Sequence, residues 1–229
     1  MSKQLMAVLC LALGVFGALA QAAPPETARV LGKLNEAANN FHNATANFTV
    51  YQKTVSPIGI DEEKQEGNSV FARENGSVEV AAHIRTTNGK PARRDLVYSR
   101  GILQVYTAST NQLDTYNSAD KKATYESFLT LGFGGSGTEL EKNWTVSYAG
   151  KEKVDGIEVE KLDLVSRLPS VRDIYSKVTL WLDLNLGVSR KQLFIQKDGS
   201  SRTAFYTSVV VNGKKLPADA FQIKRKAAK

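Results

Sequence analysis

The stretch "LGFGGSGTEL", residues 131–140, sets Gly132, Gly134 and Gly137 in G-x-G-x-x-G spacing, the phosphate-cradling fingerprint of dinucleotide-binding domains. That motif works only in a parallel βαβ setting, with a strand before it, a helix after it, and an acidic residue about twenty positions on. The flanks read differently. Upstream, "ATYESFLT" carries Tyr125, Phe128 and Leu129, which together with Leu131 read as a short helix stopped by glycines, a strand being the other reading. Downstream, a strand pattern opens almost at once at Trp144, and the acidic residue at the right distance, Asp155, falls in an Asp-Gly turn. The glycines are therefore expected to end a helix and form a loop, and the sheet around them is not expected to be parallel.

Working outward, apolar residues alternate with polar ones in segment after segment: Phe48 and Val50; Val78, Val80, Ala82 and Ile84; Trp144, Val146 and Tyr148; Val178, Leu180, Leu182 and Leu184; Phe205, Thr207, Val209 and Val211. A period of two with one apolar side predicts antiparallel strands, one face buried and one wet. Asn75-Gly76, Asn88-Gly89, Asp155-Gly156, Asp198-Gly199 and Asn212-Gly213 lie between such runs and predict hairpins; Arg100-Gly101 marks another turn. In "GIEVEKLDLV" the apolar parity switches between Val159 and Leu162, which predicts a bulge near Glu160-Lys161. About ten strands follow. One helix precedes them, with Val30, Leu31, Leu34, Ala38 and Phe41 on its apolar stripe, Pro24-Pro25 blocking its start and Thr27 available to cap it.

The chain begins with Lys3, an uncharged apolar run from Leu5 to Leu19, and Ala20-Gln21-Ala22, the layout of a secretory signal peptide. Cleavage after Ala22 leaves 229 − 22 = 207 residues as a single domain, residues 23–229, and lowers the net charge from +7 to +6. Cys10, the one cysteine, leaves with the signal, so no disulfide or thiolate site is expected. No second apolar run is long enough to span a bilayer.

Candidates for chemistry are few. His42 closes the helix and His83 lies on the polar face of a strand, and nothing in the spacing joins them. The run from Gly134 reads "GGSGT", not a nucleophile elbow. Asp61-Glu62-Glu63 reads as a solvated loop and the basic end "KRKAAK" as a frayed terminus. No metal ligands and no cofactor are indicated. A sheet curled round its helices leaves two options: the apolar residues fill a closed core, or they line a concave pocket.

Several segments, in order, resemble the periplasmic carriers of outer-membrane lipoproteins, the LolA-like proteins: "VLGKLNEAANNF", "NFTVYQK", "KQEGNSVFAR", "LVYSRGILQVYTASTNQLDTY", and the closing "LDLVSRLPSVRDIYSKVTLWLDLNLGVSRKQLFIQKDG" with "FYTSVVVNGKKLPADAFQIK". The resemblance covers nearly all of the chain beyond the signal. It implies a mainly β (α+β) fold, an unclosed antiparallel β-barrel of about 10–11 strands with a helical lid. It implies a monomer without catalytic residues that takes acylated lipoproteins from an inner-membrane releasing transporter to an outer-membrane receptor, or a lipid shuttle or sensor of the same fold. Phe48, Val50, Val80, Ile84, Val105, Leu180, Leu182 and Phe205 are then expected to line the apolar cavity from the strands, with Phe128 and Leu131 from the lid. Arg73 takes the place of a basic residue tied to lid closure; Glu74 follows it where the family often has Pro.

Overall fold

A computed structural model describes residues 24–74, 77–117, 126 and 128–225. The segment read as a signal peptide, the Asn75-Gly76 dipeptide expected to turn, Tyr125 and the last four residues of the basic terminus lie outside the described residues. Helix α1 (Pro25–Asn39) leads into strands β1 (Asn43–Ser56), β2 (Gly59–Glu74), β3 (Ser77–Thr87), β4 (Lys90–Ser99), β5 (Ile102–Thr107) and β6 (Gln112–Asn117). A crossing segment with helix α2 (Gly137–Asn143) follows. Then come β7 (Trp144–Val154), β8 (Ile157–Ser166), the single turn α3 (Pro169–Arg172), β9 (Tyr175–Asp183), β10 (Val188–Gln196) and β11 (Ser201–Val211).

All eleven strands form one antiparallel sheet in the order β6-β5-β4-β3-β2-β1-β11-β10-β9-β8-β7. The ends β6 and β7 are not paired, so the barrel is open. Three hairpins turn on predicted dipeptides with both residues at positive φ: Asn88-Gly89, Arg100-Gly101 and Asp155-Gly156, the primed-turn geometry that matches strand twist. Asn212-Gly213 is not a hairpin, because no strand follows it among the described residues. Instead the Asn212 side-chain oxygen accepts the backbone N–H of His42 at 2.8 Å and ties the chain's end to the start of β1.

Two clusters fill the concave side. One joins α1 to β7–β10 through Val30, Leu31, Leu34, Trp144, Leu162, Leu164, Leu180 and Leu182. The other lies on β1–β4 and β11 and includes Phe48, Val50, Phe71, Val80, Ile84 and Tyr206. A third, on the outer face, joins Val154, Val159 and Trp181, with Phe205 packed against it.

That outer cluster explains two departures from the expected pattern. β8 runs against β9 without a register shift; the irregularity expected near Glu160-Lys161 falls on its other neighbour, where β7 shifts register between Tyr148 and Lys151 opposite Leu162 and Glu160. Val159 faces outward and Leu162 inward, and both faces carry apolar cover. In β11 the alternation through Phe205, Thr207, Val209 and Val211 is broken at Ser208, which sits at φ 50° in an irregularity opposite Ala46. Phe205 is thereby on the outer face, while Val209 and Val211 pack inward. A bulge flips side chains between faces without changing the composition. Asp61, Glu62 and Glu63 lie inside β2 rather than in a loop, opposite Thr54, Lys53 and Gln52; this part of the β1–β2 ribbon extends past the core, so charged residues suit both strands. Thr27 does not cap α1 but is buried in its first turn, where its hydroxyl accepts the Tyr148 N–H at 3.2 Å.

Candidate functional site

The glycine-rich segment is where the site is assembled. Glu126, Phe128 and Leu129 are helical, and Gly132 (φ 75°) ends the turn. A helix does follow, contrary to expectation: α2 starts at Gly137 behind a capping box in which Ser136 and Glu139 bond each other's backbone N–H. The S-x-x-E spacing that announces it is present in the sequence. With seven residues, and a helix rather than a strand before the glycines, it has no βαβ context. The glycines serve close approach instead. A Cβ on Gly132 would lie 2.4 Å from that of Ser189, and one on Gly137 2.3 Å from the Leu31 carbonyl oxygen of α1.

Pinned in this way, the segment roofs the concave face. The Ser189 N–H donates to the Gly132 carbonyl at 2.7 Å, and buried Gln192 donates from Nε2 to the Leu131 carbonyl at 2.6 Å while accepting the Tyr206 hydroxyl at 3.2 Å. Phe133 stacks on Phe71 with ring centroids 4.0 Å apart and meets Tyr206 edge-on at 4.8 Å. Arg73, on β2, donates to the Gly134 carbonyl at 2.6 Å and pairs with the Glu139 carboxylate, so the residue named by resemblance holds the roof to the sheet. Burial alone would raise the pKa of Glu139, but the bonds from Arg73 and Ser136 outweigh it and hold the carboxyl below its ordinary value.

Between roof and sheet lies a cavity of about 740 Å³, within the size range of small-molecule sites. Of the residues expected from the sequence, Phe48, Val80, Ile84, Phe128 and Leu131 line it. Leu180 and Leu182 do not; they are on the concave face but fully buried under α1. Val50 is buried in the β1–β2 core and Val105 on β5, neither in the lining, and Phe205 is on the outer face. The period-two pattern places a residue on a face, but only the cover above that face decides between core and cavity.

Lining residues that periodicity did not single out include polar ones. Ser69 is 3% exposed, and its hydroxyl has no hydrogen-bond partner. Arg94 and Arg202 border the cavity as well. Burial pushes the Tyr206 phenol up, with a hydrogen bond to Arg202 pulling the other way. The histidines stand apart from this site: His83 meets Asp95 at 3.0 Å on the outer face, and His42 is exposed. Among the described residues, no cluster of His, Cys, Asp or Glu is arranged to hold a metal ion, and no helix is long and apolar enough to cross a membrane.

No family model and no curated protein matches the sequence. Solved structures do match. The Pseudomonas aeruginosa MucA/MucB complex aligns at TM-score 0.52 and 18% identity over 87% of this chain, which spans only 61% of the matched chain. An uncharacterized conserved protein from Thermus thermophilus aligns at TM-score 0.55 and 11% identity, covering 89% of this chain and 97% of that one. A LolA superfamily protein from Nitrosomonas europaea is also matched, at TM-score 0.38 and 14% identity over 86% of this chain and 97% of that one. At these identities the likeness is one of fold: an open, mostly antiparallel β architecture.

Proposed function

We propose that this protein binds acyl chains in the roofed cavity and carries acylated lipoproteins across the periplasm, shielding their chains from water between an inner-membrane donor and an outer-membrane acceptor. The observation that carries the reading is the cavity itself: a half-open, largely apolar space lined mainly by aromatic and aliphatic side chains where a packed core would otherwise close the sheet. Burying about ten methylenes at ~0.8 kcal/mol each yields ~8 kcal/mol before the cost of ordering the chain, the scale of micromolar affinity. A carrier needs affinity of that moderate kind, enough to hold cargo and little enough to release it. No bond is made or broken, so no catalytic group is required.

The test is native mass spectrometry of protein taken from the periplasm and mixed with membranes bearing a labelled lipoprotein. A soluble one-to-one complex with the intact acylated lipoprotein is expected. Free lipid alone would replace the lipoprotein carrier by a lipid shuttle, and a protein that stays empty would remove the acyl-binding reading. A second reading is favoured by the likeness to MucB, described in complex with MucA: a regulatory module that senses lipid and docks on a partner protein. Its mark is a stable complex with a partner, without transfer of cargo.

A further inference from the structure

Most of the cavity lining is apolar, and its two charged residues, Arg94 and Arg202, lie toward one end. The ladder puts Arg94 level with Ile84, Gly67, Phe48 and Tyr206. Arg202 and Gln65 lie toward the same end, four residues from Tyr206 on β11 and two from Gly67 on β2, all on the concave face. Neither Arg94 nor Arg202 is paired with a carboxylate among the described residues. The acid nearby is Glu63, which accepts from Gln65 Nε2 at 2.5 Å, and Arg93 beside it is already paired with Asp95. A smaller recess of about 450 Å³ adjoins this mouth and shares Gln65, Ile84 and Arg94 with the cavity. One pleat deeper on β2 is Ser69, whose buried hydroxyl lacks a partner.

The buried Ser69 hydroxyl is costly unless a partner completes it, and Arg94 and Arg202, without carboxylate partners at the mouth, present their charge to whatever ligand enters. We propose that the cavity takes an anionic amphiphile, its acyl chain among the aromatic residues and its carboxylate or phosphate on Arg94 and Arg202. Ser69 hydrogen-bonds an oxygen of the ligand next to the head. The proposal rests on the acyl-binding reading above and names the ligand class of that site. Guanidinium groups suit it, since each presents a planar fork of donors to a carboxylate or phosphate.

The experiment compares a long-chain fatty acid with its methyl ester, the same chain with and without the charge, displacing a fluorescent acyl probe from the delipidated full chain at pH 7 and low salt. The acid is expected to bind at least about tenfold more tightly, the scale of one charge-assisted hydrogen bond. The double variant R94Q/R202Q should lose that preference while binding the ester as before, which also reports that it is folded; R94K/R202K should keep most of it. Equal affinity for acid and ester, or a preference surviving in R94Q/R202Q, would overturn the head-group assignment alone. Failure to bind either ligand would overturn the acyl-binding reading with it. Phosphatidylglycerol against phosphatidylcholine of matched chains then separates the sources. A preference of the same size supports the anion site with a phospholipid in it, and one confined to the fatty acid supports the anion site with a free carboxylate.

Discussion

The two halves of the concave face are built from the same kind of strand and end differently. Over β8 and β9, helix α1 lays Val30, Leu31 and Leu34 directly onto Leu162, Leu164, Leu180 and Leu182, all of them buried, and the cavity reaches β9 and β10 only at Tyr175, Gln192 and Phe194. Over β1–β4, the cover is the segment around Phe128–Phe133, held off the sheet by a stack of rings. The part under α1 is packed; the part under the glycine-rich segment keeps about 740 Å³. Apolar alternation therefore specifies a face, while the shape of whatever covers that face specifies whether it is structure or site. A helix lies flush along a sheet, whereas a glycine-pinned loop bridges it.

The sharpest way to break that comparison is to put the same charge in both halves. Leu180→Glu buries a carboxylate under α1 with no partner, and the cost is expected to exceed about 4 kcal/mol. Thermal melting followed by circular dichroism should show a protein with little or no cooperative transition. Leu96→Glu, on the partly buried cavity lining, should fold with a melting temperature close to the parent and lose its affinity for apolar probes. If Leu180→Glu folded normally and lost only ligand, α1 would have to be movable, and the filled half would belong to the cavity.

How much of this was legible beforehand follows the same division. The antiparallel class, the leading helix and the hairpins at Asn88-Gly89 and Asp155-Gly156 are local consequences of period and turn chemistry, and they could be read. Leu180 and Leu182 were placed on the correct face but in the wrong half, because nothing in their own segment records that α1 returns to cover them. Phe205 was placed on the wrong face, since a single residue at positive φ, Ser208, resets parity, and serine gives little sign of doing so. Ser69 and Arg202 carry no signal of their own, because a polar residue in a strand reads as solvent-facing until its neighbours are known. Arg73 came from resemblance rather than pattern. Its partner Glu139 was within reach through the Ser136–Glu139 capping box.

A smaller effect is expected from loosening the roof. Arg73→Gln removes the charge that pairs with Glu139 and weakens the bond to the Gly134 carbonyl, at a cost of about 1–2 kcal/mol for a partly exposed pair. Stability should fall by that amount. Amide exchange should rise mainly across residues 131–140, with β7–β10 unaffected, and a bound acyl probe should leave faster. Arg73→Lys should fall between parent and Gln, keeping the charge without the planar fork. Uniform acceleration of exchange over both halves would mean that Arg73 supports the whole barrel, not its roof.

The smallest effect is the pH response of the same contact. Because the Glu139 carboxyl is held below its ordinary value in the folded chain, the folded state binds fewer protons than the unfolded one across the carboxylate range. The pair's contribution is therefore complete at neutral pH and is lost as pH falls through the lowered folded value, beneath the ordinary glutamate range. Glu66, Glu152, Glu160 and Asp219 are lowered as well, so acid will weaken the protein generally, and the roof must be isolated by difference. Glu139→Gln provides the comparison: at neutral pH it should exchange amides in residues 131–140 faster than the parent, and on acidification it should lack the further rise that the parent shows. A parent and a Glu139→Gln variant that loosen in parallel from pH 7 to pH 3 would show that protonation elsewhere opens the roof, and that the cavity half is coupled to the filled half instead of opening by itself.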